Sequence, residues 1–276
     1  MYSNQEETDT RIVLYLHYAS KIGYQRAVIR TPDTDIFIIL FYHAHNINSE
    51  IFLDTGNGKK RKMINISNLA RELGPSYCNT LMGFYVFTGE DCTSAFKGKG
   101  KVGPLRKLEK YPKFHGLFKQ LGEDWKITTE LYENLEEFTC LMYGQNREKL
   151  TNIARTKILR KMVGEGNTFT WKSKVDLTRL PPCQAALRPH IQRVNHRVCH
   201  YKRANEAIIE CPKPFTEGQG WVKSYGCIEP LWSHNPVLPT TLVDLLEQQL
   251  DEAENEKEDT DVSDFESCSE SEDEGY

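Results

Sequence analysis

Arg26-Ala-Val-Ile-Arg30, then Thr31-Pro-Asp-Thr-Asp35, then the apolar run Ile36–Tyr42, is the stretch on which the fold turns. Val28 and Ile29 are β-branched and read as the middle of a short buried strand. Pro32 breaks the extended run, and Thr31 or Asp33 can cap the apolar segment that follows. Ile36–His45 suits a buried helix, with a strand as the alternative because Ile and Phe dominate it. Asp33 and Asp35 therefore stand where a strand ends and a helix begins, the place where open α/β sheets bind ligands. A spacing of two in a tight turn lets both carboxylates converge on one hard cation such as Mg²⁺ or Mn²⁺. The same spacing also serves a surface turn that only caps a helix.

Upstream, Ile12, Tyr15, Leu16, Ala19 and Ile22 recur at helical spacing, and Gly23 ends that helix. Glu6, Glu7 and Asp9 crowd its first turn, where the helix dipole favours acids. On the functional reading Glu7 and Asp9 face the same cation as Asp33 and Asp35. Downstream, Glu50–Asp54 and Arg61–Ile66 read as two strands joined around Gly56-Asn57-Gly58. Ser67 is placed to cap Asn68–Leu73, and Gly74-Pro75 opens a helix through Leu81 and Phe84. That helix runs into Thr88-Gly-Glu-Asp91, then Cys92–Phe96 and Lys97-Gly-Lys-Gly-Lys101.

In EETDTR (6–11), TPDTDIF (31–37) and TGEDCTSAFKGKGK (88–101) the chain resembles the flap-endonuclease (PIN-like) superfamily. With the later Leu180-Pro-Pro182 stretch and the His and Arg that follow, it resembles more closely a group of uncharacterised, transposon-like animal proteins. The resemblance covers residues 5–120. It implies an α/β PIN-like nuclease core, with Glu7, Asp9, Asp33, Asp35 and Asp91 as catalytic residues ligating two divalent ions, Mg²⁺ or Mn²⁺. The chemistry explains such a set. Two metals about 4 Å apart can activate a water and neutralise the leaving oxygen of a phosphodiester, and carboxylates hold hard cations. The family core normally begins with a further Asp-bearing strand ahead of Glu7, so the resemblance implies a nuclease domain shortened at its N-terminus.

Gly98 and Gly100 let the backbone approach a phosphate, and the helix expected from Leu105 offers free N–H groups. Lys97, Lys99 and Lys101 add charge there, so Lys97–Lys101 is expected to bind nucleic acid, DNA before RNA. The family's matching element also holds a monovalent cation. Charge segregation agrees. Of the net −4, residues 251–276 carry −12 from thirteen Asp/Glu and one Lys, which leaves +8 on residues 1–250. A basic body with an acidic, disordered tail suits a nucleic-acid partner and a competing polyanion.

Residues 125–163 read as helices, with Leu131, Leu135, Phe138 and Met142 on one stripe and Ile153, Ile158 and Leu159 on another. Gly164–Gly166 reads as a loop. Cys183–Arg203 is expected as a basic helix whose Arg188, Arg193, Arg197, Lys202 and Arg203 face nucleic acid or an acidic partner. His196 with Cys199 or His200 is its alternative metal reading. Residues 205–240 read as irregular chain pinned by aromatics, and Thr241–Leu250 as a last helix. The expected divisions are a PIN-like domain over 1–124, a mostly helical region packed on it over 125–250, and the tail over 251–276. No apolar run nears the ~20 residues of a membrane span, and no signal-peptide pattern opens the chain. Eight scattered cysteines without a C-x-x-C pair suggest a reducing, intracellular setting, the nucleus included. The competing function is a catalytically inactive nucleic-acid-binding or interaction protein that kept the nuclease scaffold.

Overall fold

A computed structural model describes residues 2–163 and 176–233. The described residues are mixed α/β, nine helices with two small sheets. The chain divides into two compact units, Met1–Arg155 with Thr178–Ser233, and Thr156–Leu177 with His234–Tyr276. Residues on both sides of position 124 belong to the first unit. Of the second, the described part is the end of one helix and residues 176–177. The expected loop at 164–166, the helix at 241–250 and the acidic tail lie outside the described residues.

The first unit opens with α1 (Thr8–Lys21), whose N-cap is Glu7, and Gly23 turns the chain out of it at φ +97°. β1 (Arg26–Arg30) follows and pairs in parallel with β2 (Glu50–Thr55), Arg26 opposite Glu50 and Arg30 opposite Asp54. A parallel pair needs a crossover, and α2 (Thr34–His43) supplies it. The choice at Ile36–His43 thus falls to the helix. Thr31 and Asp33 share the start: Thr31 Oγ1 accepts from Asp33 N at 3.0 Å, and Asp33 Oδ1 from Asp35 N at 2.8 Å. β1 differs from the buried strand expected. Successive side chains point to opposite faces, so Ile29 is buried while Val28 is 60% exposed.

β3 (Lys62–Asn65) returns antiparallel to β2, giving the order β1-β2-β3. α3 (Ile66–Leu73) is capped by Asn65, whose Oδ1 accepts from Asn68 N at 2.9 Å. Ser67, the expected cap, instead accepts from Ile51 N at 2.9 Å and so ties α3 to β2. α4 (Pro75–Phe87) and α5 (Val102–Lys110) flank the Gly89–Lys101 segment, with α5 starting three residues earlier than expected. α6 (His115–Gln120) and α7 (Thr129–Met142) follow, and α8 (Thr151–Val163) begins in the first unit. The stripe Leu131, Leu135, Phe138 and Met142 is buried as its spacing requires, whereas Ile153 on α8 is exposed.

Phe84, Phe87, Phe118 and Phe138 form the aromatic centre, with Phe118 and Phe138 edge to face at 4.9 Å. α4 lies so close to α6 there that a Cβ on Gly83 would stand 2.2 Å from the Phe118 carbonyl oxygen. Gly83→Ala should therefore cost about 2 kcal/mol in urea unfolding, the usual penalty of overpacking. Unchanged stability would contradict this packing.

α9 (Gln184–Lys202) corrects the picture of a basic helix facing a partner, because it is the buried axis of the unit. Arg193 donates to Gly220 O and Leu231 O, and Lys202 to Lys119 O and Glu123. Arg188 lies over the Tyr132 ring at 4.3 Å, and Arg203 donates to Gly122 O. Arg193, Lys202 and Arg203 thus satisfy groups within the protein, while Arg188 stays exposed beside its ring. The segment after α9 also holds a hairpin, β4 (Trp221–Ser224) with β5 (Cys227–Pro230), where irregular chain was expected. Tyr225 and Gly226 both take positive φ (47° and 85°), the pattern of a primed hairpin turn usually written Asn-Gly or Asp-Gly.

Candidate active site: a carboxylate cluster with a resident arginine

The C-terminal end of β1 delivers Asp33 and Asp35, and the start of α1 delivers Glu7 and Asp9. The four form one electrostatic group. Asp9 binds its proton more tightly than an ordinary carboxyl, first because of burial and then because Asp33, Glu7 and Asp35 repel its charge, with Arg197 opposing. Asp35 is 4% exposed and held from two sides, accepting from Tyr85 Oη at 2.6 Å and from Tyr201 Oη at 3.3 Å. Asp33 spends one oxygen on the cap of α2.

The third expected contribution, Asp91, belongs to the turn between α4 and α5, and its neighbour Glu90 goes deeper. The Glu90 side chain is fully buried while Asp91 is exposed. Gly89, at φ +112°, shapes that turn, and a Cβ on it would meet Ala95 at 2.8 Å. Glu90 Oε1 accepts from Cys92 N at 3.1 Å, and Oε2 has no hydrogen-bond partner. Its carboxyl is pushed up to about 7 by burial, helped by Asp35 and Asp91 and opposed by Arg197 and the Cys92 N–H. Acidic residues from three separate elements thus interact at one strand end.

Arg197 of α9 closes the group. Its Nη1 donates to Glu7 Oε2, its Nε lies 3.5 Å from Glu90 Oε2, and its guanidinium sits over the Tyr201 ring at 4.6 Å. Asp54 shows what a fully compensated carboxylate looks like in the same sheet. Arg30 and Arg61 each approach Asp54 to 2.7 Å, and their hydrogen bonds hold its carboxyl down at about 2. Asp9, by contrast, keeps a raised proton affinity although Arg197 is nearby.

The glycine turn after Phe96 separates its lysines. Lys97 is exposed, and Lys99 lies over the Tyr143 ring at 4.5 Å, its ammonium made less basic by burial and by Arg179 and Lys107. Lys101 points inward, donating to Tyr85 O at 2.8 Å, to Thr88 Oγ1 and to Gly89 O. Burial brings it down to about 8, with Asp35 and Glu90 pulling the other way. Lys101 is thus tied to the C-terminal end of α4 and not presented to a phosphate, while Gly98 (φ +69°) and Gly100 have open space around them.

The histidine alternative on α9 resolves into hydrogen bonding. Gln219 Nε2 donates to Trp125 O, which leaves Gln219 Oε1 as the acceptor for His196 Nδ1–H at 2.7 Å. His196 Nε2 then accepts from His200 Nε2–H at 3.2 Å. Burial lowers the basicity of both rings, His200 to about 4 with His196 and the nearby arginines adding to it. Cys199 donates to Asp124 O at 3.2 Å.

Sequence reading missed Glu90, Arg197, Tyr85 and Tyr201. Glu90 had a signal, since it precedes Asp91 directly. Arg197 had none, lying 190 residues from the glutamate it pairs with. Among the described residues no three His, Cys, Asp or Glu side chains stand as a ready-made metal-ligand group. The donor chemistry nonetheless suits a hard divalent cation. The donors are all carboxylate oxygens, the acids outnumber the one arginine at their centre, and Asp9 remains uncompensated. No helix of the described residues is long and apolar enough to cross a membrane. The chain matches no protein-family model, no curated protein and no solved structure.

Proposed function

We propose that this chain carries a nuclease-type site that hydrolyses phosphodiesters of DNA or RNA with a divalent cation, Mg²⁺ or Mn²⁺. The supporting observation is the meeting of Asp9, Asp33 and Asp35 at the end of β1, where the two other carboxylates add to the raised proton affinity of Asp9. Carboxylates brought together from separate elements repel one another, and perturbed proton affinities of this kind mark functional sites. Asp9, Asp33 and Asp35 would hold the cation, because Glu7 and Glu90 are engaged by Arg197. When bound, the cation supplies Lewis acidity toward a phosphoryl oxygen and a more acidic water. Tyr85 and Tyr201 fix the orientation of Asp35. Exposed Lys97 with Gly98 and Gly100 offers backbone-phosphate contacts that read no bases. The second reading is a non-catalytic nucleic-acid-binding scaffold. It is favoured by Arg197, which already gives two of the acids a fixed positive partner.

Binding of a cation to the folded state should raise the melting temperature. At tenfold excess over a millimolar dissociation constant the gain is about 1.4 kcal/mol, or roughly 3 °C for a chain this long. Asp33→Asn keeps the helix cap, since Asn caps as well as Asp. It should leave the melting temperature in EDTA unchanged or slightly raised, and abolish both the Mg²⁺ shift and Mn²⁺-dependent cleavage of a labelled strand. A wild-type melting curve that Mg²⁺ and Mn²⁺ do not move would remove the basis of the cation site. A shift without cleavage would favour the scaffold reading.

A further inference from the structure

A cavity of about 510 Å³ shares Glu7 and Arg197 with the acidic site. Its walls come from the N-terminal segment and the start of α1, one side of α9, the chain from Ile209 to Pro214 and the β4–β5 hairpin, with Cys92 at one side. The N-terminal segment is held there by specific bonds. Asn4 N donates to Ala207 O at 3.1 Å and Asn4 Nδ2 to Ile209 O at 3.0 Å, while Gln5 Nε2 donates to Ala204 O at 3.1 Å.

We propose that this cavity is a nucleobase pocket, seating the base of a nucleotide whose phosphate lies toward the acidic site. The proposal rests on the reading of that site as one acting on nucleic acid, and it names what the site recognises beside the phosphate. The size suits it, since small-molecule pockets run from about 300 to 1,000 Å³. The walls supply flat aromatic and apolar surface in Trp221, Ile209 and Ile228. Trp221 is itself braced by the His196 ring, edge-on with centroids 5.1 Å apart, so the indole forms part of an aromatic cluster with His196, His200 and Trp125. Bases stack on such surfaces whatever their sequence.

The polar groups of the wall include both donors and acceptors. Gln5 is only 7% exposed, and its amide braces the wall from behind, Nε2 donating to Ala204 O and to Glu206 O. In the neutral histidine pair described above, His200 spends Nε2–H on His196, which leaves its Nδ1 as an acceptor. An acceptor beside a stacking surface matches the exocyclic amino group that adenine, cytosine and guanine carry. Arg197, at the boundary with the acids, is the one cation lining the cavity and marks the side on which a phosphate would lie.

Calorimetric titration of AMP and CMP into the full chain in EDTA tests the pocket without metal or cleavage. Saturable binding in the millimolar range is expected, with ribose 5-phosphate at least tenfold weaker because it lacks the base. Trp221→Ala should weaken AMP about tenfold, the size of one lost stacking contact. Ile228→Trp, at a half-exposed position that tolerates bulk, should block the cavity to a similar degree without disturbing the core. Trp221→Phe keeps a ring and should bind within about threefold of wild type. The pocket is overturned by absence of saturable binding, by ribose 5-phosphate binding as well as AMP, or by variants that bind as wild type does. The outcomes separate from those of the cation test. AMP binding with no Mg²⁺ stabilisation would retain the pocket and sink the hydrolytic reading, and the reverse pair would do the opposite.

Discussion

Arg197→Met should lower the stability of the fold by about 3 kcal/mol at pH 8, and by only about 2 kcal/mol at pH 5.5. The Arg197 side chain is 10% exposed and that of Glu90 fully buried, so the charge left behind on Glu90 has no water to turn to. Glu7, 46% exposed, can find solvent and contributes little. Met fills most of the volume of the arginine stem, but the contact over the Tyr201 ring at 4.6 Å is lost. The dependence on pH follows from Glu90. With Arg197 present its carboxyl titrates at about 7, and without that guanidinium the value rises further. At pH 5.5 Glu90 is protonated in both proteins, so only packing and the ring contact separate them. Each pH unit above 7 adds up to about 1.4 kcal/mol to the difference, until the carboxyl of the variant also ionises. Urea unfolding at both pH values reads this directly. An equal loss at both would mean that Arg197 is a packing residue and that its pairing with Glu90 has no energetic weight.

The limits of the sequence reading follow the distance over which each interaction acts. The β1–α2 junction was legible because its determinants are adjacent: a β-branched pair, Pro32, and two capping side chains within five residues. The β2–β3 hairpin was legible for the same reason, with Gly56 at positive φ and its Cβ position 2.4 Å from Lys60 O. The β4–β5 hairpin was not, because Tyr225 occupies a left-handed position that Asn or Asp would ordinarily signal. α9 was found as a helix but misread as a surface. Its arginines look solvated when only their own segment is in view. Their partners are carbonyls at Gly122, Gly220 and Leu231 and a glutamate at position 7, which no local pattern can point to. The mutual grouping of Glu7, Asp9, Asp33 and Asp35 was legible from their order. Which member of the Glu90-Asp91 pair turns inward was not, since it depends on the backbone turn at Gly89.

That inward turn sets a further expectation, that Glu90→Gln should stabilise the protein at pH 8 by about 3 kcal/mol and do nothing at pH 4. The sign follows from proton counting. An unfolded glutamate titrates at its ordinary value of 4.5, and folded Glu90 at about 7, so between these two pH values the folded state holds a proton that the unfolded state has released. Stability from this group is therefore complete below 4.5, falls by about 1.4 kcal/mol per unit up to 7, and is flat above. Gln mimics the protonated carboxyl in shape, still offering an oxygen to Cys92 N, and does not titrate. Other groups contribute equally to both proteins, so the difference between the two stability curves isolates Glu90. The motive lies in the setting: a fully buried side chain, one oxygen without a hydrogen-bond partner, and Asp35 and Asp91 adding negative charge against a single arginine. An acid that weakens the fold at neutral pH is understandable where the site must carry excess negative charge for a cation. If the two curves coincide from pH 4 to 8, Glu90 keeps the proton affinity of an ordinary carboxyl, its burial fully offset by Arg197. The crowding of charge at the end of β1 would then be weaker than the cation site requires.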